Sequence, residues 1–225
     1  MKKLLIGLSV GLNLLFIASA LALWLSLESI VDGFLQSNRE RRVTQFEVLT
    51  DRPAQVVFLG DSITEGGLWD ELFPGAAAIN RGIGGDTTQD ILDRLDQVIA
   101  LAPERLFLMI GINDLNRGLG PEVAIANYTR LFDRFDDELQ NTEIFLQSVL
   151  PVNDAWPSTD NTHVPALNAA LKREADARGY TYIDLVPAFS DTNGQLRAEL
   201  SNDGIHLVGP GYATWRDEIQ SLVTE

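Results

Sequence analysis

Residues 55–64 read Gln55-Val56-Val57-Phe58-Leu59-Gly60-Asp61-Ser62-Ile63-Thr64. The near-continuous apolar run ending at Gly60 has the length of a strand buried on both faces, as a parallel sheet requires. Working outward, short apolar runs alternate with helical patterns. Residues 76–80 are a second and weaker strand candidate. Residues 105–110, bounded by Pro103 and Gly111, are a third, 143–150 a fourth and 180–185 a fifth. Between them, residues 88–101 place Ile91, Leu92, Leu95, Val98 and Ile99 on one helical face. Pro121 suits a first helical turn and opens a helix to about residue 139. Gly179 stops a helix over 165–178, and residues 211–223 form a closing helix. Strands alternating with helices predict an α/β domain whose parallel sheet is covered on both faces, with right-handed crossovers.

The composition agrees. The chain of 225 residues is 45% hydrophobic and 22% charged, as in a globular protein of one ordinary domain plus an extension. Its net charge of −15 argues against a nucleic-acid partner, because phosphates would be repelled. There is no cysteine, which removes disulfides, thiol catalysis and Cys-ligated zinc.

Residues 1–26 are a different material. Lys2 and Lys3 precede an uncharged run from Leu4 to Ser26. As a helix rising about 1.5 Å per residue the run reaches about 34 Å, enough for a hydrocarbon core of about 30 Å. It reads as a transmembrane anchor whose positive flank stays in the cytoplasm, leaving the rest of the chain extracytoplasmic. The alternative is a secretory signal peptide, cut at Ala18-Ser19-Ala20 or Ala20-Leu21-Ala22, with a secreted product. The apolar run continues past both sites, which favours the anchor. The expected organisation is an anchor or signal over 1–26, a juxtamembrane linker or helix over 27–52 and a globular domain over 53–225.

Four blocks carry chemistry: Gly60-Asp61-Ser62-Ile63-Thr64, Gly82-Ile83-Gly84-Gly85-Asp86-Thr87, Gly111-Ile112-Asn113-Asp114 and Asp203-Gly204-Ile205-His206. Together they supply a nucleophile, oxyanion donors and a carboxylate–imidazole pair, the parts of acyl transfer through serine. Each has a bland reading. Ser62 with Glu65 fits a capping box that merely starts a helix. The glycines after the second strand could serve only a turn, and Asn113 only a turn or cap. His206 stands three residues after Asp203, so one helical turn would put both on one face, leaving the second ring nitrogen for Ser62. The first three blocks each follow a strand, where ligands of open α/β sheets bind. Asp61, Asp86 and Asp114 read as turn formers and hydrogen-bond partners, with no metal and no cofactor expected. His163 reads as a loop histidine, and Tyr212 and Trp215 as packing behind His206.

The order and surroundings of these blocks resemble the SGNH branch of the GDSL esterases and lipases, in particular the subgroup related to the catalytic subunits of platelet-activating-factor acetylhydrolase. The resemblance runs from about Val56 to Trp215. It implies a flavodoxin-like, three-layer α/β/α sandwich with five strands. It implies Ser62, Asp203 and His206 as catalytic residues, and an oxyanion hole of the Ser62 and Gly85 backbone N–H groups with the Asn113 side chain. Gly82 and Gly84 are nearby alternatives for the glycine role. Asn168 matches a further recurring asparagine, given a structural role. The implied activity is hydrolysis of small-acyl or lipid carboxylic esters through an acyl-enzyme on Ser62. Residues 151–165, with Trp156, are expected to form a variable wall of the site. The alternatives are acyl transfer or deacetylation on cell-envelope glycans, and a non-catalytic membrane-tethered binding module. Nothing in the sequence decides the oligomeric state.

Overall fold

The computed structural model describes residues 2–50 and 54–224. Helix α1 (Lys2–Glu47) has 46 residues. Part of it is long and apolar enough to cross a membrane, with a mean hydropathy of 2.1 and none of that stretch buried. The chain divides into two units, residues 1–42 and 43–225. In the second, Phe46 is buried beneath the Arg81 guanidinium, 4.5 Å from the ring centroid.

The second unit is built on five strands: β1 (Val56–Gly60), β2 (Ala78–Gly82), β3 (Arg105–Met109), β4 (Glu143–Gln147) and β5 (Thr181–Ile183). All neighbours pair in parallel, in the order β2-β1-β3-β4-β5. This is the flavodoxin-like order, whose direction of winding reverses beside β1 and opens a crevice at the carboxyl ends of β1 and β3. The helices are α2 (Ser62–Glu65), α3 (Trp69–Leu72), α4 (Thr88–Asp93), α5 (Asp96–Ile99), α6 (Ile112–Asn116), α7 (Pro121–Glu138), α8 (Val164–Arg178), α9 (Val186–Phe189) and α10 (Gly209–Thr224).

Register decides how the sheet is covered. Phe58, Phe107 and Phe145 are direct cross-strand partners and so share one face. Their rings stack at 5.0 and 4.4 Å, and Trp69 of α3 lies flat on Phe58 at 3.9 Å. Trp215 of α10 meets Trp69 edge-on at 4.9 Å. All five side chains are buried. Burying each ring contributes roughly 1.5–3 kcal/mol, and Phe107→Ala at the centre would cost about 3–5 kcal/mol. α7 packs against α4 and α8 in a separate helical layer.

Four elements depart from the sequence expectation, among them the fifth strand, which keeps only Thr181–Ile183 of residues 180–185. The helix over 88–101 is two short helices, α4 and α5. The break falls at Arg94, whose buried guanidinium turns inward to the Gly60 and Arg81 carbonyls. The second strand starts at Ala78 and runs to Gly82, where it pairs with β1. The fourth leaves the ladder at Gln147, although the following residues to Leu150 stay buried.

Candidate active site

The turn from β1 into α2 leaves no room for a side chain at Gly60. A Cβ there would sit 2.2 Å from the Thr64 hydroxyl and 2.4 Å from the Met109 carbonyl. Asp61 is the cap of α2, its carboxylate accepting from the Ile63 N–H at 3.0 Å. Ser62 is therefore the first helical residue and does not cap. The capping-box alternative fails at its other end too, since the Glu65 carboxylate accepts from the Gly84 N–H at 2.8 Å. Ser62 is left with its hydroxyl at the carboxyl edge of the sheet.

That hydroxyl lies 3.0 Å from Nε2 of His206, and the Nδ1 of His206 lies 2.6 Å from Oδ2 of Asp203. A carboxylate beside Nδ1 selects the tautomer with its proton there, so Nε2 is free to accept from serine. The Asp203–His206 proximity does not come from a helical turn, as the spacing suggested. Residues 202–206 form a bend closed by a Ser201–Leu207 bridge. Oδ1 of Asp203 organises that bend, accepting from the Ile205 and His206 N–H groups at 3.1 and 2.8 Å. Burial pushes the Asp203 carboxyl up, but the His206 ring and these two N–H groups together outweigh it and hold it down at about 2. Both side chains are about 40% exposed, so the dyad opens to solvent.

The second block is a tight turn. Asp86 N–H donates to the Ile83 carbonyl at 3.2 Å, and Gly85 has φ +81°. A positive φ at the third position of the turn favours glycine. Of the three candidate glycines, Gly82 donates its N–H to Asn80 Oδ1 at 2.7 Å and Gly84 donates to Glu65. Among the described residues, the Gly85 and Ser62 N–H groups have no protein acceptor. The turn lies beside the serine, because a Cβ on Gly84 would stand 3.8 Å from the Ser62 Cβ. From α6, Asn113 donates one amide hydrogen to the Asp86 carbonyl at 2.9 Å and keeps its second.

The three aspartates beside the blocks hold the loops. Asp86 pairs with Arg94 at 2.7 Å, both side chains essentially without solvent contact. Asp114 accepts from the Thr88 N–H and hydroxyl at 2.9 and 2.5 Å, and burial raises its carboxyl. Asp61 is raised to about 7, chiefly by burial, with the Asp86 and Asp114 charges adding to it against the Ile63 bond. Among the described residues, no group of three or more His, Cys, Asp or Glu gathers to hold a metal.

Several site-building residues escape a sequence reading. Asn80 donates to the Thr64, Glu65 and Gly67 carbonyls at 2.9–3.0 Å while accepting from Gly82, which ties the serine turn to β2. Arg94 and Arg117 likewise donate to carbonyls of the site loops, and no local motif marks either; Glu65, marked only as a capping-box acid, accepts from the Gly84 N–H instead. Tyr212 donates to the Ile63 carbonyl at 2.8 Å and stacks on Trp215. Asn168 donates to and accepts from the Val149 backbone. His163 is exposed and 3.9 Å from Asp160. Trp156 meets the His206 ring edge-on at 6.0 Å and donates to Asn116 Oδ1 at 3.2 Å, so residues 151–165 do reach the site. A cavity of about 800 Å³ lies elsewhere, around Arg105, Glu143 and Thr181 at the amino ends of β3, β4 and β5.

Residues 58–214 match the GDSL-like Lipase/Acylhydrolase family. Among curated proteins, platelet-activating factor acetylhydrolase IB subunit alpha1 of Pongo abelii is 28% identical over 183 residues, covering 77% of each chain. Among solved structures, a Streptococcus pneumonia protein named for platelet activating factor superposes with a TM-score of 0.81 at 28% identity, covering 87% of this chain and 97% of that one. A GDSL-like lipase from Bacteroides thetaiotaomicron gives 0.68 at 26% identity, over 83% and 97%.

Proposed function

The chain belongs to the GDSL-like lipase/acylhydrolase family, and from that membership we propose a serine esterase acting on small-acyl or lipid carboxylic esters through an acyl-enzyme on Ser62. The observation that carries the proposal is the unbroken line Asp203–His206–Ser62, with contacts of 2.6 and 3.0 Å. In the proposed cycle Nε2 of His206 takes the Ser62 proton as Oγ attacks the ester carbonyl carbon. The resulting oxyanion is held by the Ser62 and Gly85 N–H groups and the remaining amide hydrogen of Asn113. Each such donor is worth about 3 kcal/mol in the transition state. The tetrahedral centre collapses, the C–O bond to the leaving group breaks, and the imidazolium protonates the departing alkoxide. Water, deprotonated by His206, then attacks the acyl-serine, and the carboxylic acid leaves as Oγ regains its proton.

The substrate class is drawn from the acetylhydrolase and lipase names of the relatives. The openness of the Asp203–His206 pair suits an ester whose leaving group stays in solvent. A membrane tether is part of the proposal. Phe16, Leu15 and Trp24 of α1 are 67–74% exposed, an apolar surface that lipid would cover at no cost. Residues 1–26 would span the bilayer, 27–52 would lead out of it, and the catalytic part from 53 onward would stand outside the cytoplasm. Secretion after signal cleavage is the competing outcome.

The full chain in detergent, assayed on nitrophenyl esters of increasing acyl length, tests the reading. Turnover should vanish in Ser62→Ala while a phosphonate probe labels Ser62 only in the native protein. Equal turnover in Ser62→Ala would end the proposal. Alcohol acceptors added to the same assay separate hydrolysis from acyl transfer.

A further inference from the structure

We propose that Arg117 is a positioning residue for the oxyanion hole, gripping the turn that carries Gly85. The inference rests on the reading of Gly85 as an oxyanion donor. Its structural basis is the geometry of α6. Asn113 and Arg117 are four residues apart, so they project from one side of the helix. Arg117 closes that helix, its N–H donating to the Asn113 carbonyl at 3.0 Å. The two side chains take consecutive carbonyls of the second block. Arg117 Nη2 donates to Gly85 at 2.7 Å and Asn113 Nδ2 donates to Asp86 at 2.9 Å.

The grip matters because the turn is soft. Gly84 and Gly85 are its two central residues, and neither carries a Cβ to restrict rotation. From the nucleophile side the turn is held by Glu65 on the Gly84 N–H. From the other side, at the level of Gly85, it is held by Arg117. Oxyanion donors work only when fixed within about 0.5 Å of the developing charge. With Arg117 and Asn113 on one helix, the Gly85 N–H and the Asn113 amide are set against each other by a single rigid element. The Arg117 side chain is 54% exposed and its Nη1 is 3.9 Å from Asp90, an arrangement that contributes little to folding. A residue that matters for catalysis and little for stability is what this placement implies.

The test uses the full chain in detergent with glycine ¹⁵N labelling. For Arg117→Ala the expected result is a kcat lower by about tenfold, a KM within about twofold of native and an unchanged unfolding midpoint. When a phosphonate adduct on Ser62 mimics the oxyanion, the Gly85 amide resonance should move downfield in the native protein and move less in Arg117→Ala. Arg117→Lys, which can still reach a carbonyl with a cation, should recover part of both. If the native resonance moves and Arg117→Ala matches it in both shift and kcat, the Arg117 role is overturned and the oxyanion assignment stands. If Gly85 does not respond even in the native protein, the oxyanion assignment falls and the proposal with it. A loss of kcat that merely follows a lowered unfolding midpoint in both variants assigns Arg117 to folding and overturns the proposal.

Discussion

Nε2 of His206 and Oγ of Ser62 stand 3.0 Å apart although 144 residues separate them in the chain. Neither end is mobile in a way that would make the approach accidental. Ser62 is fixed by the cap that Asp61 puts on α2, and by the three bonds with which Asn80 ties the following turn to β2. His206 is fixed through Asp203, which binds both its ring and its backbone N–H. Tyr212 then joins the two halves, reaching from α10 to the Ile63 carbonyl. The sheet brings the loops together, and these polar ties set the last ångström.

Asp203 gives the first prediction. Its carboxyl is held down at about 2, so it remains an anion at any pH where the proposed base can work. In Asp203→Asn the amide can offer a donor to Nδ1 and favour the wrong tautomer. kcat should fall by about 10³-fold or more with little change in KM. The bend would keep its Oδ1 contacts to the Ile205 and His206 N–H groups, so the circular dichroism spectrum should be unchanged. Activity within a few-fold of native would remove Asp203 from the mechanism.

Asn113 gives the second. Asn113→Ala removes one proposed oxyanion donor and the bond to the Asp86 carbonyl. The expected loss is about 10²-fold in kcat. Phosphonate labelling of Ser62 should slow in parallel, because the adduct places charge in the same hole. Slowed turnover with an unaltered labelling rate would mean that Asn113 acts elsewhere in the cycle.

How much of this was legible in the sequence depends on the range of the forces involved. The strand at Val56–Gly60 and the glycine-bounded blocks announce themselves because periodicity and turn chemistry are local. From the alternation of elements the parallel sheet follows, and so does the meeting of three blocks at one edge. Partners set by the sheet order are another matter. Asn80 lies on β2, and its three bonds to the serine turn exist only because β2 pairs with β1. Arg94 falls inside the helix expected over 88–101, yet that helix breaks there and the guanidinium reaches Asp86 and two strand carbonyls. The Asp203–His206 spacing pointed to a contact that the structure makes by another route, since three residues fit an aspartate-centred bend as well as a helical turn.

Arg94 carries the third prediction. Its pairing with Asp86 is fully buried, and removing one partner of a buried ion pair is strongly destabilising. Arg94→Met should therefore lower stability by about 3–5 kcal/mol, read as a lower denaturant midpoint. Adding Asp86→Asn to it should recover part of the loss by removing a buried negative charge that has lost its guanidinium. A double variant less stable than Arg94→Met alone would show that the Asp86 carboxylate is held by contacts other than Arg94.

Asp61 carries the last. Burial, with the nearby Asp86 and Asp114 charges, raises its carboxyl to about 7 from an ordinary 3.8. The folded chain then keeps a proton that the unfolded chain gives up near pH 4. Stability from this group is fully present below about pH 4 and is lost as pH rises toward about 7. At about 1.4 kcal/mol per pH unit the loss is on the order of 4 kcal/mol. Asp61→Asn is neutral throughout, and its amide oxygen can still accept from the Ile63 N–H, so the cap on α2 survives. Denaturant midpoints measured at pH 5 and pH 8 should therefore fall steeply for the native chain and much less for Asp61→Asn. The variant should be the more stable of the two at pH 8. Parallel midpoints for both chains would mean that Asp61 ionises in the fold as easily as in water, and that the buried carboxylate is balanced by its surroundings.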